Sequence, residues 1–71
     1  MYNLSPPQSP LQQGPVFVAI YDYDAQDSDE VSFLENDRVI QCEIIDEGWM
    51  VGTIQRTGMR GMVPANYVQK I

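Results

Sequence analysis

The chain has 71 residues, 44% of them hydrophobic, with ten acidic side chains against four basic ones, one cysteine and no histidine. That length allows one small domain with a modest core, Cys42 alone permits no internal disulfide, and without histidine the common zinc ligand sets cannot be assembled. No apolar run is long enough to span a bilayer, and no charged start followed by an apolar stretch reads as a signal peptide.

Residues 1–15 hold four of the five prolines and no charge, with neither helical nor strand periodicity. Such a stretch reads as a disordered leader or linker over 1–14, with the folded domain over 15–71. From Val16 the composition turns β-branched and aromatic (VFVAIYDY), which marks the first strand. Asp22 to Asn36 is acidic and polar, a long loop pinned to the core by Val31 and Phe33, which alternate as in a strand. Arg38 to Ile45 is a second strand; Val39 and Cys42 both read as inward at an odd spacing, which requires a β-bulge near Ile40-Gln41. Asp46-Glu47-Gly48 is a turn, Trp49 to Gln55 a third strand, and Arg56-Thr57-Gly58 a tight reversal. Gly61 to Val63 is a fourth strand that must end at Pro64, which has no N–H for a ladder. One helical turn, Ala65-Asn66-Tyr67, then leads into a last short strand, Val68 to Ile71.

Five short strands without a long helix give an all-β class, a small sandwich or barrel of two packed antiparallel sheets. The core expected from this pattern is Phe17, Ala19, Val31, Phe33, Val39, Cys42, Gly52, Ile54, Val63 and Val68, with Gly52 where only a small residue fits. Cys42 is expected as a small packed residue in a reducing, cytoplasmic setting and not as a redox or metal group.

All ten acids fall between Asp22 and Glu47, where Arg38 is the only base. Phosphate backbones and anionic membranes both require clustered Lys and Arg, so neither nucleic acid nor a membrane is an expected partner. An acidic run by itself keeps a loop solvated. Enzymatic chemistry is also disfavoured: there is no histidine, no activating context for the cysteine and no glycine-rich phosphate loop, and no metal or cofactor is implied.

Tyr21, Tyr23, Trp49 and Tyr67 remain once Phe17 and Phe33 are assigned inside. Strand packing accounts for Tyr21 and Tyr23, and core filling for Trp49, less well because Trp49 directly follows a turn. Alternatively, aromatic rings with one wet edge form a groove, whose flat faces take apolar rings while N–H and O–H groups donate to carbonyls. A polyproline II segment suits such a groove, being stiff and having free carbonyls. Three tyrosine or tryptophan rings near acids can also cage a methylated lysine by cation–π attraction, and a purely structural module is a further alternative.

Ala19-Ile20-Tyr21-Asp22-Tyr23 resembles the ALYDY motif of Src homology 3 (SH3) domains, and further marks follow in order. Glu30-Val31-Ser32-Phe33 is similar to the end of that family's RT loop, Asp46-Glu47-Gly48-Trp49 to its n-Src loop and tryptophan, and Gly61 to Val68 (GMVPANYV) to its closing segment. The resemblance covers residues 16–71. It implies a monomeric, non-catalytic module whose groove of Tyr21, Tyr23, Trp49, Met62, Pro64, Asn66 and Tyr67 takes proline-rich PxxP peptides. Trp49 and Asn66 would donate to ligand carbonyls, and Glu30, with Asp27, Asp29, Asp46 and Glu47, would attract an Arg or Lys beside the PxxP core. Two residues depart from the common pattern: Met50 stands where a second tryptophan is often found and Met62 where an aromatic borders a proline pocket, and a flexible thioether there widens the tolerated ligands. EVSF, IDEGWM and GTIQRTG further resemble the SH3 domains that end nebulin, nebulette and the LIM-and-SH3 proteins, which implies a cytoskeletal, actin-associated scaffold. Pro7-Gln8-Ser9-Pro10 is itself a PxxP but is not expected to dock in cis. The leader offers no base, and the chain from Pro10 to Val16 reaches only about 20 Å against a surface path of roughly 40 Å.

Overall fold

A computed structural model describes residues 14–71; the leader expected over 1–14, with its PxxP, lies outside the described residues except for Gly14. Five strands follow in chain order: β1 (Phe17–Ala19), β2 (Arg38–Ile44), β3 (Trp49–Ile54), β4 (Arg60–Pro64) and β5 (Val68–Lys70), with a 3-10 turn (Ala65–Tyr67) between the last two. All neighbours are antiparallel and the spatial order is β4-β3-β2-β1-β5. Hydrogen bonding runs unbroken through all five, so the two expected layers are the two halves of one curled sheet. Curling leaves little open edge, and the long acidic loop covers part of β4: Val31 N donates to Met62 O at 3.1 Å and Met62 N to Asp29 O at 2.8 Å.

The strand pattern explains the core. In β3 half-buried and buried residues alternate, so Met50, Gly52 and Ile54 point inward. Met50 and Ile54 meet Ala19, Val31, Phe33, Val39, Val63 and Val68 in one cluster. Phe17 and Cys42 pack against this cluster from half-buried positions. Met50 corrects the sequence reading: it is 2% exposed and paired with Val63, so its thioether fills the core and cannot tune a ligand surface. Gly52 is confined as expected, because a Cβ there would lie 2.5 Å from Val39 Cγ1.

The bulge inferred from the odd spacing in β2 is present. The register with β3 shifts between Ile40 and Glu43, and Gln41 takes the left-handed φ of 55°. Burial pushes the Cys42 thiol above its ordinary pKa, and Cys42 Sγ donates to Val39 O at 3.4 Å. At the β3–β4 reversal, Gly58 has φ 78°, a conformation that glycine adopts without steric cost.

Candidate functional site

Two backbone hydrogen bonds set the closing turn against the rest of the molecule. Ile20 N donates to Tyr67 O at 2.9 Å, and Ala65 N donates to Gly48 O at 2.9 Å. The first brings Tyr67 beside the tyrosine segment and the second brings the turn beside Trp49. Chain direction changes sharply after β1, which ends at Ala19 although the β-rich composition continues to Tyr23. Tyr21 is thereby left 57% exposed. Tyr23 pairs with Phe33 in an isolated antiparallel bridge outside the five strands, with Tyr23 N to Phe33 O at 2.8 Å and Phe33 N to Tyr23 O at 2.9 Å.

The three tyrosine rings consequently converge. Tyr67 stands edge-on to Tyr21 at 5.5 Å between centroids and edge-on to Tyr23 at 5.0 Å, while Tyr23 stacks on Phe33 at 5.5 Å. Edge-to-face contacts hold these rings at steep angles to one another, 79° for Tyr21 and 70° for Tyr23 against Tyr67. Asn66 is exposed at the centre of the 3-10 turn, whereas Pro64 is buried opposite Trp49 in the ladder and supplies only floor.

Beside this aromatic wall lies a recess of about 250 Å³ lined by Trp49, Met62, Asp27, Asp29 and Glu30. Carboxylate oxygens of the three acids lie within 4.8 Å of one another. Like charges at that separation favour a cation between them. The other two acids named from the sequence, Asp46 and Glu47, do not line the recess. Asp46 instead turns the loop: its Oδ1 accepts Gly48 N at 2.8 Å and Trp49 N at 3.1 Å, which fixes where Trp49 leaves the turn. Glu47 is exposed on the same loop.

Wall and recess are joined by one hydrogen bond. The Tyr23 hydroxyl donates to Glu30 Oε1 at 2.5 Å, and Gln26 N donates to the same oxygen at 2.7 Å. Tyr23's hydroxyl bond, then Gln26 N, hold the Glu30 carboxyl below its ordinary pKa despite partial desolvation. The Tyr23 phenol is pushed up to about 12, first by the bond to Glu30, then by burial and by the Glu30 charge. Glu30 therefore stays anionic, with Oε2 free of these two donors.

Sequence reasoning missed one structural pair behind the site. Asp37, 8% exposed, accepts Arg56 Nε at 2.7 Å and Arg56 Nη2 at 2.9 Å, and its Oδ2 also accepts Leu34 N at 2.8 Å. Asp37 O in turn accepts Ala19 N at 2.9 Å, so this turn anchors both the root of the acidic loop and β1. No local pattern announces a pair whose members lie 19 residues apart.

A small antiparallel half-barrel that presents an aromatic wall beside an anionic recess defines a protein-interaction module. Residues 19–69 match the family model described as a variant SH3 domain. The chain belongs to the SH3 family, whose members are non-catalytic interaction modules. It is 57% identical to human nebulin over 65 residues, covering 92% of this chain and 1% of nebulin, and 57% identical over 71 residues to a Caenorhabditis elegans LIM and SH3 domain protein, covering 94% of this chain and 21% of that protein. Among solved structures, the SH3 domain of the yeast actin binding protein Abp1 superposes with a TM-score of 0.75 at 42% identity, over 78% of this chain and 95% of that one. A peptide-bound C-terminal SH3 domain of myosin IB from Entamoeba histolytica gives 0.71 at 37% identity, over 80% and 92%. The chain thus spans about a fifth or less of the length of the curated relatives named.

Proposed function

We propose that residues 15–71 are a monomeric binding module for proline-rich segments that carry Arg or Lys beside a PxxP core, and that it serves a cytoskeletal, actin-associated scaffold. The observation that carries this reading is the junction at Glu30, where the wall of Tyr21, Tyr23 and Tyr67 meets the recess of Asp27, Asp29 and Trp49 through the Tyr23 hydroxyl. Proline rings of a polyproline II ligand fit against the tyrosine faces, and Trp49 and Asn66 donate to its free carbonyls. The flanking cation enters the acidic recess, where the Glu30 Oε2 and the carboxylates of Asp27 and Asp29 receive it. Met62 forms an adaptable apolar side of the same recess. Asp46 and Glu47 act at longer range, through charge and through the placing of Trp49.

The peptide bound in the myosin IB structure supports peptide binding in this family, and the nebulin, LIM-and-SH3 and actin-binding relatives support the cytoskeletal setting.

Titration followed by Trp49 fluorescence tests the reading. An Arg-flanked PxxP peptide should outbind its Ala-substituted partner by about 1 kcal/mol, an advantage that shrinks with salt, as for partly exposed charge pairs. Glu30→Gln should remove most of that difference, and Trp49→Ala should abolish binding, followed then by tyrosine signals, while the fold persists. Equal affinities for the two peptides at low salt would refute the acidic recess as the specificity element.

A further inference from the structure

The acidic loop has two sides, and only one faces Trp49. On the other side a larger hollow of about 530 Å³ opens between this loop and the β3–β4 reversal, where Thr57 and Met59 form the far bank. Its walls are largely apolar: Val31 and Phe33 contribute from the core, and Ala25, Leu34 and Met59 complete them. Leu34 is 50% exposed and Met59 60% exposed, so large apolar side chains are left in water on both banks. Apolar surface gathered around a concavity marks an interaction site more than scattered exposed residues do.

Charge selects the occupant. Asp24, Asp27 and Glu30 line the hollow, and the one base among its lining residues, Arg56, already has its guanidinium held by both oxygens of Asp37. The local field is therefore negative. A second copy of the chain, of net charge −6, would be repelled, and residues 1–13 carry no charged side chain to satisfy the carboxylates. A proline ladder lacks partners here too, because the lining holds no tryptophan and the hydroxyl of its one tyrosine, Tyr23, is engaged by Glu30.

We propose that this hollow is a second docking site, which takes a short partner-protein segment bearing apolar side chains flanked by Lys or Arg and needing no proline. Apolar side chains of the segment enter between Leu34 and Met59, and its bases meet Asp24 and Asp27 along the loop. Because Glu30 and Asp27 also line the recess at Trp49, the hollow and that recess share an acidic wall, while Leu34 and Met59 line the hollow and not the recess.

The test is an amide NMR titration of the full 71-residue chain with a short proline-free peptide of alternating leucine and lysine. Saturable shifts are expected at Ala25, Ser32, Leu34 and Met59, and a matched peptide with serine for leucine should not produce them. Leu34→Ser with Met59→Ser should weaken binding by at least about tenfold while leaving the affinity for a proline-rich peptide unchanged. If the double variant loses spectral dispersion, the single variants are read against the same criterion. Shifts centred on Tyr21, Trp49 and Asn66, equal binding of the serine peptide, or absence of binding would overturn the proposal. So would shifts at the hollow that depend on protein concentration without peptide, which would assign it to a second copy, or that follow Leu11→Ser alone, which would assign it to the N-terminal segment.

Discussion

Replacing Asp37 by alanine removes three hydrogen bonds at once: the forked pair from Arg56 and the bond from Leu34 N. Bonds to a charged partner are worth about 1.5–3 kcal/mol each, but two terms reduce the sum. The carboxylate was desolvated to reach its 7% side-chain exposure, and the Arg56 side chain, 51% exposed, rehydrates easily when released. Leu34 N, in a part-buried bond, also loses its acceptor, about 1 kcal/mol by itself. A net loss of about 2–3 kcal/mol follows, well above the 0–1 of a surface ion pair, and a large share of the roughly 3–5 expected for a domain of this size. Asparagine should rescue little, because its amide group brings two N–H donors to a site already filled with donors. The effect should also depend on pH with a definite sign. Arg56 bonding first, then the Leu34 bond, hold the folded Asp37 pKa below its ordinary value against desolvation. A lowered carboxylate pKa stabilises the fold above the unfolded value of about 3.9 and stops doing so as pH falls through the folded value. Urea unfolding followed by the single tryptophan should therefore show a large gap between wild type and Asp37→Ala at neutral pH that closes in acid. A loss below about 0.5 kcal/mol at neutral pH, or a gap that does not change with pH, would refute the assignment of Asp37 as a buried anchor.

Gly61→Ala should destabilise by about 1–3 kcal/mol, because a Cβ there would stand 2.7 Å from Asp29 O, a backbone atom that cannot rotate away. Hydrogen exchange at the Val31 and Met62 amides should accelerate most, and unchanged exchange there would show that the loop does not depend on this close approach. Tyr23 should titrate near 12 in a phenol absorbance or NMR titration, and nearer its ordinary value of 10 in Glu30→Gln. Since the folded pKa is raised, the bond's stabilisation is complete below about 10 and lost as pH rises through the folded value, so Tyr23→Phe should flatten the alkaline fall in stability. Deleting residues 1–14 should leave the unfolding midpoint nearly unchanged, because among the described residues the buried core cluster is assembled from Ala19 onward. Loss of cooperative unfolding in that truncation would move the domain boundary.

The fold was largely legible because its signals are local. The odd spacing of Val39 and Cys42 located the bulge that Gln41 provides, Pro64 and Gly58 punctuated β4 and the reversal, and the residues of the closing turn were recognisable as a unit. Met50 was misread although period two contained the answer: with Gly52 and Ile54 inside, the residue two before Gly52 must be inside as well, and its neighbour Trp49 outside. The Asp37–Arg56 pair was not legible in this way, since a buried carboxylate among ten acids looks like its exposed neighbours until the chain brings Arg56 to it. The same limit applies to Asp46: its place in the acidic run gives no hint that its Oδ1 also shapes the turn before Trp49.

In the proposed binding mode Glu30 serves structure and recognition together. An acid that met a ligand's cation with both oxygens free would hang on a mobile loop and lose side-chain entropy on binding. Here Oε1 is already fixed by the Tyr23 hydroxyl and Gln26 N, so much of that entropy is lost on folding and not on binding. Those same donors would weaken the charge if they neutralised it, but hydrogen bonds to a carboxylate stabilise its ionised form, as the lowered pKa of Glu30 records. Tyr23, in contact with Tyr67 on one side and Glu30 on the other, thus transmits the position of the aromatic wall to the anionic recess. Tyr23→Phe would keep the ring and its packing while leaving Glu30 Oε1 to Gln26 N alone, so in the proposed binding mode it loosens the link between the aromatic wall and the anionic recess.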